Sequence, residues 1–544
     1  MNNHEEQIKS LINDIRNVCK TRGLGGDANE YKIVTQSFLY KYINDKFMYE
    51  VNKKDSSLRT YNDLKKLNEN QYELLLIKIG NNSAHLKPEH LLTYLFSKQD
   101  EPDFDKLFDE TLNDIAILNN DIFSVHTGEN TDIRLFDEEL LAKSVDDKST
   151  RRDFAKEIIN ALAEAKFDFK EMFDDGFDFF STIFEYMIKD YNKDGGGKYA
   201  EYYTPHSIAK VMAEILVGDE KPTNVKVYDP AAGSGTLLMN IAFKIGTDKC
   251  TIYSQDISQK STNLLRLNLI LNNLSHSINN IIKGNTITDN RHTEKMDFIV
   301  SNPPFEPQTS QKEWDEMKSI ADLNRERFPF GIPNLVSDKK VGQKTYIYLT
   351  FLQHIIWSLA DNGKAAVVLP KGFITAKAGI GFKIRKYLVE KQWIKGVVSM
   401  PSNIFATTGT NVAILFIDKT NVGGKVVLLD ATKLGEERND GEKKRRYLSA
   451  DDETLIINCF KNKTTKKNFS VVLDYSKIRE KYYSLAAGQY FDVNLEYSEL
   501  TVDEFNEKIS KYKISLNRLY KENNNLQEKI MNQLEELIYE TKKN

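Results

Sequence analysis

Ser301-Asn302-Pro303-Pro304-Phe305 directly follows the apolar run Asp297–Val300, and its residue types suit a planar amine. An Asn fixed by two prolines at the end of a strand presents its side-chain carbonyl to an incoming N–H. The backbone carbonyl of Pro303 can accept a second hydrogen bond from the same nitrogen, and Phe305 offers a flat face for stacking. Such a set positions a weakly nucleophilic exocyclic amine without needing a strong general base. Upstream stands Asp229-Pro230-Ala231-Ala232-Gly233-Ser234-Gly235-Thr236. There Val225–Asp229 reads as a buried strand and Thr236–Ala242 as the helix that follows. The glycines then fall at the carboxyl end of a strand, where open parallel sheets bind ligands. The loop has GxG, but neither the third glycine of a dinucleotide fingerprint nor the GKS or GKT of a phosphate-gripping loop. A nucleoside cofactor with an amino-acid tail in place of a pyrophosphate suits it better. Asp256 stands about 20 residues on, the spacing at which an acid takes ribose hydroxyls. Asp289 either ends a third strand and faces the cofactor's adenine, or serves only a turn. Loop and Asn-Pro-Pro-Phe together point to methyl transfer onto an amine.

The elements that must position these residues alternate. Candidate strands are Val225–Asp229, Thr251–Gln255, Asp297–Val300, Lys364–Leu369, Ile394–Ser399 and Asn411–Ile417, with helical patterns between most of them. Alternation of this kind implies a largely parallel sheet covered by helices on both faces. The last two strands are joined by a short link around Phe405–Gly409, too short for a parallel crossover, which predicts one antiparallel pairing at the edge. Before the sheet, residues 1–165 show helical periodicity, with Leu11, Ile15 and Val18 on one face and Phe38, Tyr42 and Phe47 on another, and read as an all-α domain. Residues 166–198 hold a further aromatic amphipathic helix over 176–193 and the connector Gly195-Gly196-Gly197. Residues 199–430 form the sheet domain, 431–497 an extension and 498–544 a helical tail. The tail opens on the capping box Thr501-Val502-Asp503-Glu504. Phe505, Ile509, Tyr512, Leu516, Leu519, Asn523, Leu526 and Ile530 then recur at three- and four-residue steps. That is a coiled-coil seam with one polar register residue, Asn523. It serves either docking on a partner helix or packing on its own domain.

Composition bounds the possibilities. The chain has 544 residues, enough for two to four domains, with 75 Lys and Arg against 79 Asp and Glu, a formal charge of −4. That argues against a free-standing polyanion binder, since counterion release needs many uncompensated cations. A local basic face or a partner subunit satisfies the same physics. The three cysteines, Cys19, Cys250 and Cys459, form no CxxC, fitting a reducing cytoplasm and arguing against a zinc cluster or disulfide scaffold. No apolar run reaches about 18 residues, so no membrane span or signal peptide is expected.

The ordered set of motifs resembles one family over nearly the whole chain, the modification (M) subunits of type I restriction–modification systems. It includes Glu30-Tyr31-Lys32 and Phe38-Leu39-Tyr40-Lys41-Tyr42, then Glu201-Tyr202-Tyr203-Thr204-Pro205, the Asp229–Gly235 loop and Asn302-Pro303-Pro304-Phe305. Leu369-Pro370 and Phe405-Ala406-Thr407-Thr408-Gly409 complete it. The resemblance implies a class I methyltransferase-like fold, an α/β doubly wound, mostly parallel sheet. It implies a site-specific DNA methyltransferase that moves a methyl group from S-adenosylmethionine to the N6 amino group of adenine. Glu201, Tyr202, Tyr203, Thr204 and Pro205 would line the methionine side of the cofactor pocket. Asp229, Gly233, Ser234, Gly235 and Thr236 would contact the cofactor, and Asp256 would bind its ribose. The family usually has Arg after the Thr-Pro pair, where this chain has His206. Implied partners are double-stranded DNA, a specificity (S) subunit, an ATP-driven restriction (R) subunit and a second copy of this chain, in the cytoplasm.

On this reading Asn302 and the Pro303 carbonyl favour a more tetrahedral N6 and aim it at the methyl group. The base must leave the duplex, with Phe305 stacking on it. Pro307–Lys344, with Trp314, Arg325, Arg327, Phe328, Phe330, Lys339, Lys340 and Lys344, reads either as a DNA grip beside the flipped base or as a solvated insertion. Lys443-Lys444-Arg445-Arg446 reads as a phosphate contact or an exposed charge run. Two competing classes are a protein glutamine methyltransferase and a non-catalytic scaffold. The first usually has Tyr where this chain has Phe305, and intact Asn302, Gly233, Gly235 and Asp256 oppose the second.

Overall fold

The computed structural model describes residues 3–25, 28–80, 83–123, 125–126, 132–165, 169–174, 204–338, 342–405, 411–440, 443–491 and 501–541. The expected helix over 176–193, Gly195–Gly197, Glu201–Tyr203 and Ala406–Gly409 lie outside these residues. The chain divides into two compact units, 1–491 and 492–544.

The first unit opens on helices, chiefly α1 (Asn3–Thr21), α2 (Ala28–Lys54), α3 (Phe104–Leu118) and α4 (Lys148–Ala163). In α1, Ile8, Leu11, Ile12, Ile15 and Cys19 form a buried stripe, the three- and four-residue spacing of an amphipathic helix. In contrast, α2 is apolar on more than one side. Phe38, Tyr40, Tyr42, Ile43 and Phe47 are all buried. Tyr40 Oη donates to the His90 carbonyl at 2.7 Å and Tyr42 Oη to the Leu271 carbonyl at 2.9 Å. Through Tyr42 the helical region reaches a helix of the sheet domain, and one hydrophobic core runs from Ile8 to Phe469. The expected boundary at residue 165 is therefore not a boundary of packing, because α2 has no exposed residue from Ser37 to Val51. Nor is the region purely helical: Val125–His126 pairs antiparallel with Asp132–Ile133.

The sheet has nine strands. They are β1 (Val225–Asp229), β2 (Cys250–Asp256), β3 (Ile281–Lys283), β4 (Met296–Ser301), β5 (Leu359–Pro370), β6 (Ile394–Ser399), β7 (Val412–Asp418), β8 (Val426–Asp430) and β9 (Ser470–Leu473). Their order is β9-β8-β6-β7-β5-β4-β1-β2-β3. All neighbours from β3 to β5 pair in parallel, as do β6 and β8. The antiparallel strand β7 is not at an edge. It lies between β6 and β5, antiparallel to both, and all seven of its residues are buried. Its run Val-Ala-Ile-Leu-Phe-Ile-Asp is apolar on both faces, which suits the interior of a sheet. The sheet also continues past residue 430, where β9 pairs antiparallel with β8. The helix Ala450–Lys461 covers this end, and its Phe460 packs on Phe416 with ring centroids 4.8 Å apart. The segment 431–491 thus completes the sheet rather than extending from it.

The helices that flank the sheet are α5 (His206–Val217), α6 (Thr236–Ile245), α7 (Gln259–Leu271), α8 (Gln311–Leu323), α9 (Tyr348–Ser358), α10 (Gly379–Glu390) and α11 (Ala450–Lys461). The second unit contains α12 (Val502–Thr541). Its capping box forms as expected: Thr501 Oγ1 accepts from Glu504 N at 3.3 Å, and Glu504 Oε2 accepts from Thr501 N at 2.8 Å. Among the described residues, no helix is long and apolar enough to cross a membrane.

Candidate active site

The registers of β1, β2 and β4 bring the sequence-predicted residues to one rim. Asp229 pairs with Ser254 across β1 and β2, and Tyr228 with Ile299 across β1 and β4. The turns after these strands therefore meet at their carboxyl ends. After β1 the chain reverses through Gly233 at φ 54° and Gly235 at φ 89°, and Gly235 is the N-cap of α6. A Cβ on Gly235 would lie 2.3 Å from Leu265 Cδ1 of α7, so close helix packing and a left-handed backbone both require glycine. Ser234 and Thr236 are buried, with their hydroxyls 3.3 Å apart. Asn268 of α7 donates to the Ser234 carbonyl at 2.5 Å.

Two carboxylates organise the loop. Asp256 accepts from Gly233 N at 2.9 Å through Oδ2 and from Ser258 N at 2.8 Å through Oδ1. Burial pushes its pKa above the usual carboxylate range. Asp229 is fully buried, and its Oδ1 accepts from Ala231 N at 2.9 Å and from Ser301 Oγ at 2.8 Å. Burial raises its pKa to about 7, against the lowering effect of those two bonds. The Ser301–Asp229 bond fastens the Asn-Pro-Pro-Phe turn to the glycine loop.

Asn302 is half-buried, and its Nδ2 donates to Thr204 Oγ1 at 3.2 Å. That contact turns the amide carbonyl away from Thr204. Pro303 is buried, Pro304 exposed and Phe305 half-buried. The Phe305 ring meets Tyr348 edge-on at 6.1 Å, which sets its plane. Pro205 precedes α5, and His206, its first residue, lies with Nδ1 3.4 Å from Asn240 Nδ2. Of the two readings of Asp289, the end of a strand or a turn, the structure has the turn. The third strand ends at Lys283, and Asp289 sits in a turn closed by its own N–H on the Asn285 carbonyl at 2.8 Å. Its carboxylate pairs with Arg291 at 3.4 Å. The backbone carbonyl of Asp289, not its side chain, reaches back to the sheet and accepts from Gln255 Nε2 at 2.6 Å.

Three residues with no visible motif hold the floor of the rim. Arg327 donates from Nη1 to the Ile287 carbonyl at 3.1 Å and from Nε to His354 Nδ1 at 2.9 Å. His354 Nε2 lies 3.1 Å from Tyr228 Oη of β1. Burial, and then the Arg327 charge, hold the imidazole pKa well below its ordinary value, so His354 is neutral and Nδ1 accepts. Thr286 Oγ1 completes the link by donating to the Pro230 carbonyl at 2.7 Å. Arg327 and Phe328 are thus core residues, not the DNA grip considered for Pro307–Lys344. Within that stretch Lys344 pairs with Glu306 at 2.6 Å, and Arg325 pairs with Asp322. Isolated single residues carry no sequence signal for such a network. Ile257 was also silent in the sequence: it is 69% exposed, beside Asp256 at the end of β2.

Comparison with known proteins gives consistent relatives. The N-6 DNA Methylase family model matches residues 175–499. A type I restriction enzyme methylase subunit (MpnII) of Mycoplasma pneumoniae is 30% identical over 373 residues, 66% of this chain and 65% of that protein. One of Methanocaldococcus jannaschii (MjaIX) is 26% identical over 387 residues, 66% of this chain and 63% of its own length. The matches therefore span a little under two thirds of these relatives. Among solved structures, the type I restriction–modification system methyltransferase subunit of Streptococcus thermophilus superposes with a TM-score of 0.70 at 22% identity. It covers 90% of this chain and 99% of that one. A modification subunit of a type I restriction enzyme from Vibrio vulnificus gives 0.52 at 14% identity, covering 87% and 93%. These likenesses show a shared fold.

Proposed function

The chain belongs to the N-6 DNA methylase family, and we propose that it methylates the N6 amino group of adenine in double-stranded DNA. In this reading it serves as the modification subunit of a cytoplasmic type I complex, with specificity and restriction subunits and a second copy of itself as partners. One observation carries the catalytic part: the Ser301–Asp229 hydrogen bond joins the amine-binding turn to the cofactor loop.

The rim fits S-adenosylmethionine. Gly233 and Gly235 keep the loop free of side chains at positive φ. Asp256 is held by two backbone N–H groups, and each carboxylate oxygen retains a lone pair for a ribose hydroxyl. Ile257 exposes an apolar side chain next to that carboxylate, where a purine face would cover it. When bound, the cofactor supplies a methyl group on a sulfonium. Asn302 then accepts from the adenine amine through the carbonyl that Thr204 turns outward, and the Pro303 carbonyl accepts the second N–H. With both N–H bonds directed, the nitrogen lone pair is held toward the cofactor loop, and positioning supplies much of the rate. Phe305, its plane set by Tyr348, stacks on the extruded base. Thr204, Pro205 and His206, at the start of α5, wall the methionine side; Glu201–Tyr203 belong to the same proposal.

The test is transfer of tritiated methyl groups by the purified chain, with and without a specificity subunit, into unmodified duplex DNA. Asn302→Ala is expected to abolish transfer while cofactor binding persists, and Asp256→Ala to weaken cofactor affinity. Label entering protein, or nothing, would overturn the reading.

A further inference from the structure

The Asn-Pro-Pro-Phe turn has an aromatic neighbour whose polar end the fold leaves unused. α9 ends at Ser358, and β5 begins at Leu359. Because β5 runs parallel to β4, a helix that feeds its amino end starts toward the carboxyl edge of the sheet. Tyr348, the first residue of α9, therefore stands beside the turn, with its ring 6.1 Å from that of Phe305. Its side chain is 8% exposed and belongs to the apolar cluster of Leu349, Leu352 and Phe373.

The hydroxyl of Tyr348 makes no hydrogen bond among the described residues. A tyrosine hydroxyl usually finds a partner when its ring is buried, and each exception asks for a reason. Packing supplies none, because phenylalanine would fill the same space. The neighbouring carboxylate supplies none either. Glu306 acts on the hydroxyl through its charge without bonding to it, and its Oε2 is taken by Lys344 at 2.6 Å. Burial, and then the Glu306 charge, push the phenol pKa up to about 12. The hydroxyl thus keeps its proton at neutral pH and is available as a donor.

The ring geometry indicates what that donor meets. The planes of Phe305 and Tyr348 stand 76° apart, so a base lying flat on Phe305 turns an edge toward Tyr348, not a face. With the N6 amine held by Asn302 and the Pro303 carbonyl, the edges of adenine have only acceptors left, the ring nitrogens N1, N3 and N7.

We propose that Tyr348 is a base-reading residue, whose hydroxyl donates a hydrogen bond to one ring nitrogen of the extruded adenine. The proposal rests on the DNA-methylating reading above and adds a third polar contact to the two on N6. Extruded bases are read by such edge hydrogen bonds combined with stacking. A site built to bond a polar atom also discriminates against a base that lacks it.

The test uses the full chain in complex with its specificity subunit. The substrate is a duplex bearing the adenine that this complex methylates, located as N6-methyladenine in treated DNA. That adenine is replaced in turn by 1-deaza-, 3-deaza- and 7-deazaadenine, each with C–H in place of one ring nitrogen. On the unsubstituted duplex, Tyr348→Phe is expected to lower kcat/KM for DNA roughly tenfold, the effect of one hydrogen bond. Cofactor affinity and the thermal midpoint should stay as in the wild type. With one of the three analogues, variant and wild type should react alike, since the bond is already absent. With the other two the tenfold gap should persist. A merely structural role for the hydroxyl would impose the same gap on all four substrates, and that result overturns the proposal, as does a Tyr348→Phe enzyme with wild-type kcat/KM. Absence of transfer into the unsubstituted duplex overturns the DNA-methylating reading and this one with it. Adenine methylation that ignores Tyr348 removes this residue alone.

Discussion

In the proposed reaction Asn302 depends on its neighbour. Its amide is oriented by one hydroxyl, Thr204 Oγ1 at 3.2 Å, and the rest of its motif supplies rigidity. Thr204→Val keeps shape and removes the hydroxyl. A hydrogen bond of this kind is worth about 1 to 1.5 kcal/mol, so kcat should fall roughly tenfold, with Thr204→Ser restoring it; an unchanged kcat in single-turnover assays would remove Thr204 from the mechanism. Asp229 offers a second check, through pH. Its pKa, raised by burial to about 7, lies above the ordinary 3.8, so the folded state binds the extra proton between these values. Stability is therefore greatest at the acid end of that window and falls as pH rises through 7, by a few kcal/mol at most. Asp229→Asn can accept both existing bonds on Oδ1, from Ala231 N and Ser301 Oγ. It should flatten the urea-denaturation profile between pH 4 and pH 8 while wild type slopes downward. At this scale, Asn302, the glycines and Asp256 were legible in the sequence because each belongs to a motif whose chemistry needs it. The Asp229–Ser301 and Arg327–His354–Tyr228 contacts were not, since they join residues remote along the chain and only the sheet register makes them neighbours.

The elements show which local patterns were sufficient. β1, β2, β4 and β6 are apolar runs bounded by turn residues, and their expected spans agree with the sheet to within a residue at each end. β3 has three residues, too few for periodicity to show. The short link after β6 foretold an antiparallel pairing, but not that β7 would insert between β6 and β5. Strand order depends on which faces helices cover, and no single segment records that. β8 follows a glycine pair and has only five residues, and β9 lies beyond a charged ribbon, so its apolar run reads locally as part of an extension. The loop before α6 is the element most tightly specified. Gly235→Ala must accommodate a Cβ 2.3 Å from Leu265 Cδ1 at φ 89°, and Leu265 is itself buried. We expect a loss of about 1 to 3 kcal/mol in denaturant titration, with cofactor affinity falling by more than that stability change explains. Loss of stability with native affinity would mean that the loop is not the cofactor site.

The whole molecule contains two units of opposite character. Residues 1–491 share continuous apolar cores, whereas α12 shows Phe505, Tyr512, Leu516, Leu519, Leu526, Ile530 and Leu534 exposed along 40 residues. Its own i,i+4 pairs, Lys511 with Glu507 at 2.7 Å and Arg518 with Glu522 at 3.7 Å, add only a few tenths of a kcal/mol each. Long isolated helices gain most of their stability from packing an apolar face, and a seam at three- and four-residue steps is shaped for another helix. With the catalytic core self-contained, removal of residues 501–544 should leave the thermal midpoint within about 2 °C, the effect of well under 1 kcal/mol in a chain this size. Cofactor affinity should also persist. Co-purification with a specificity subunit should be lost, and target-dependent methylation with it. Asn523→Leu should retain or tighten association while admitting other registers, because a polar seam residue fixes alignment at a cost in stability. A truncated chain that still assembles would move the docking surface into residues 1–491. One that loses its thermal midpoint would show that the seam serves the fold of its own chain.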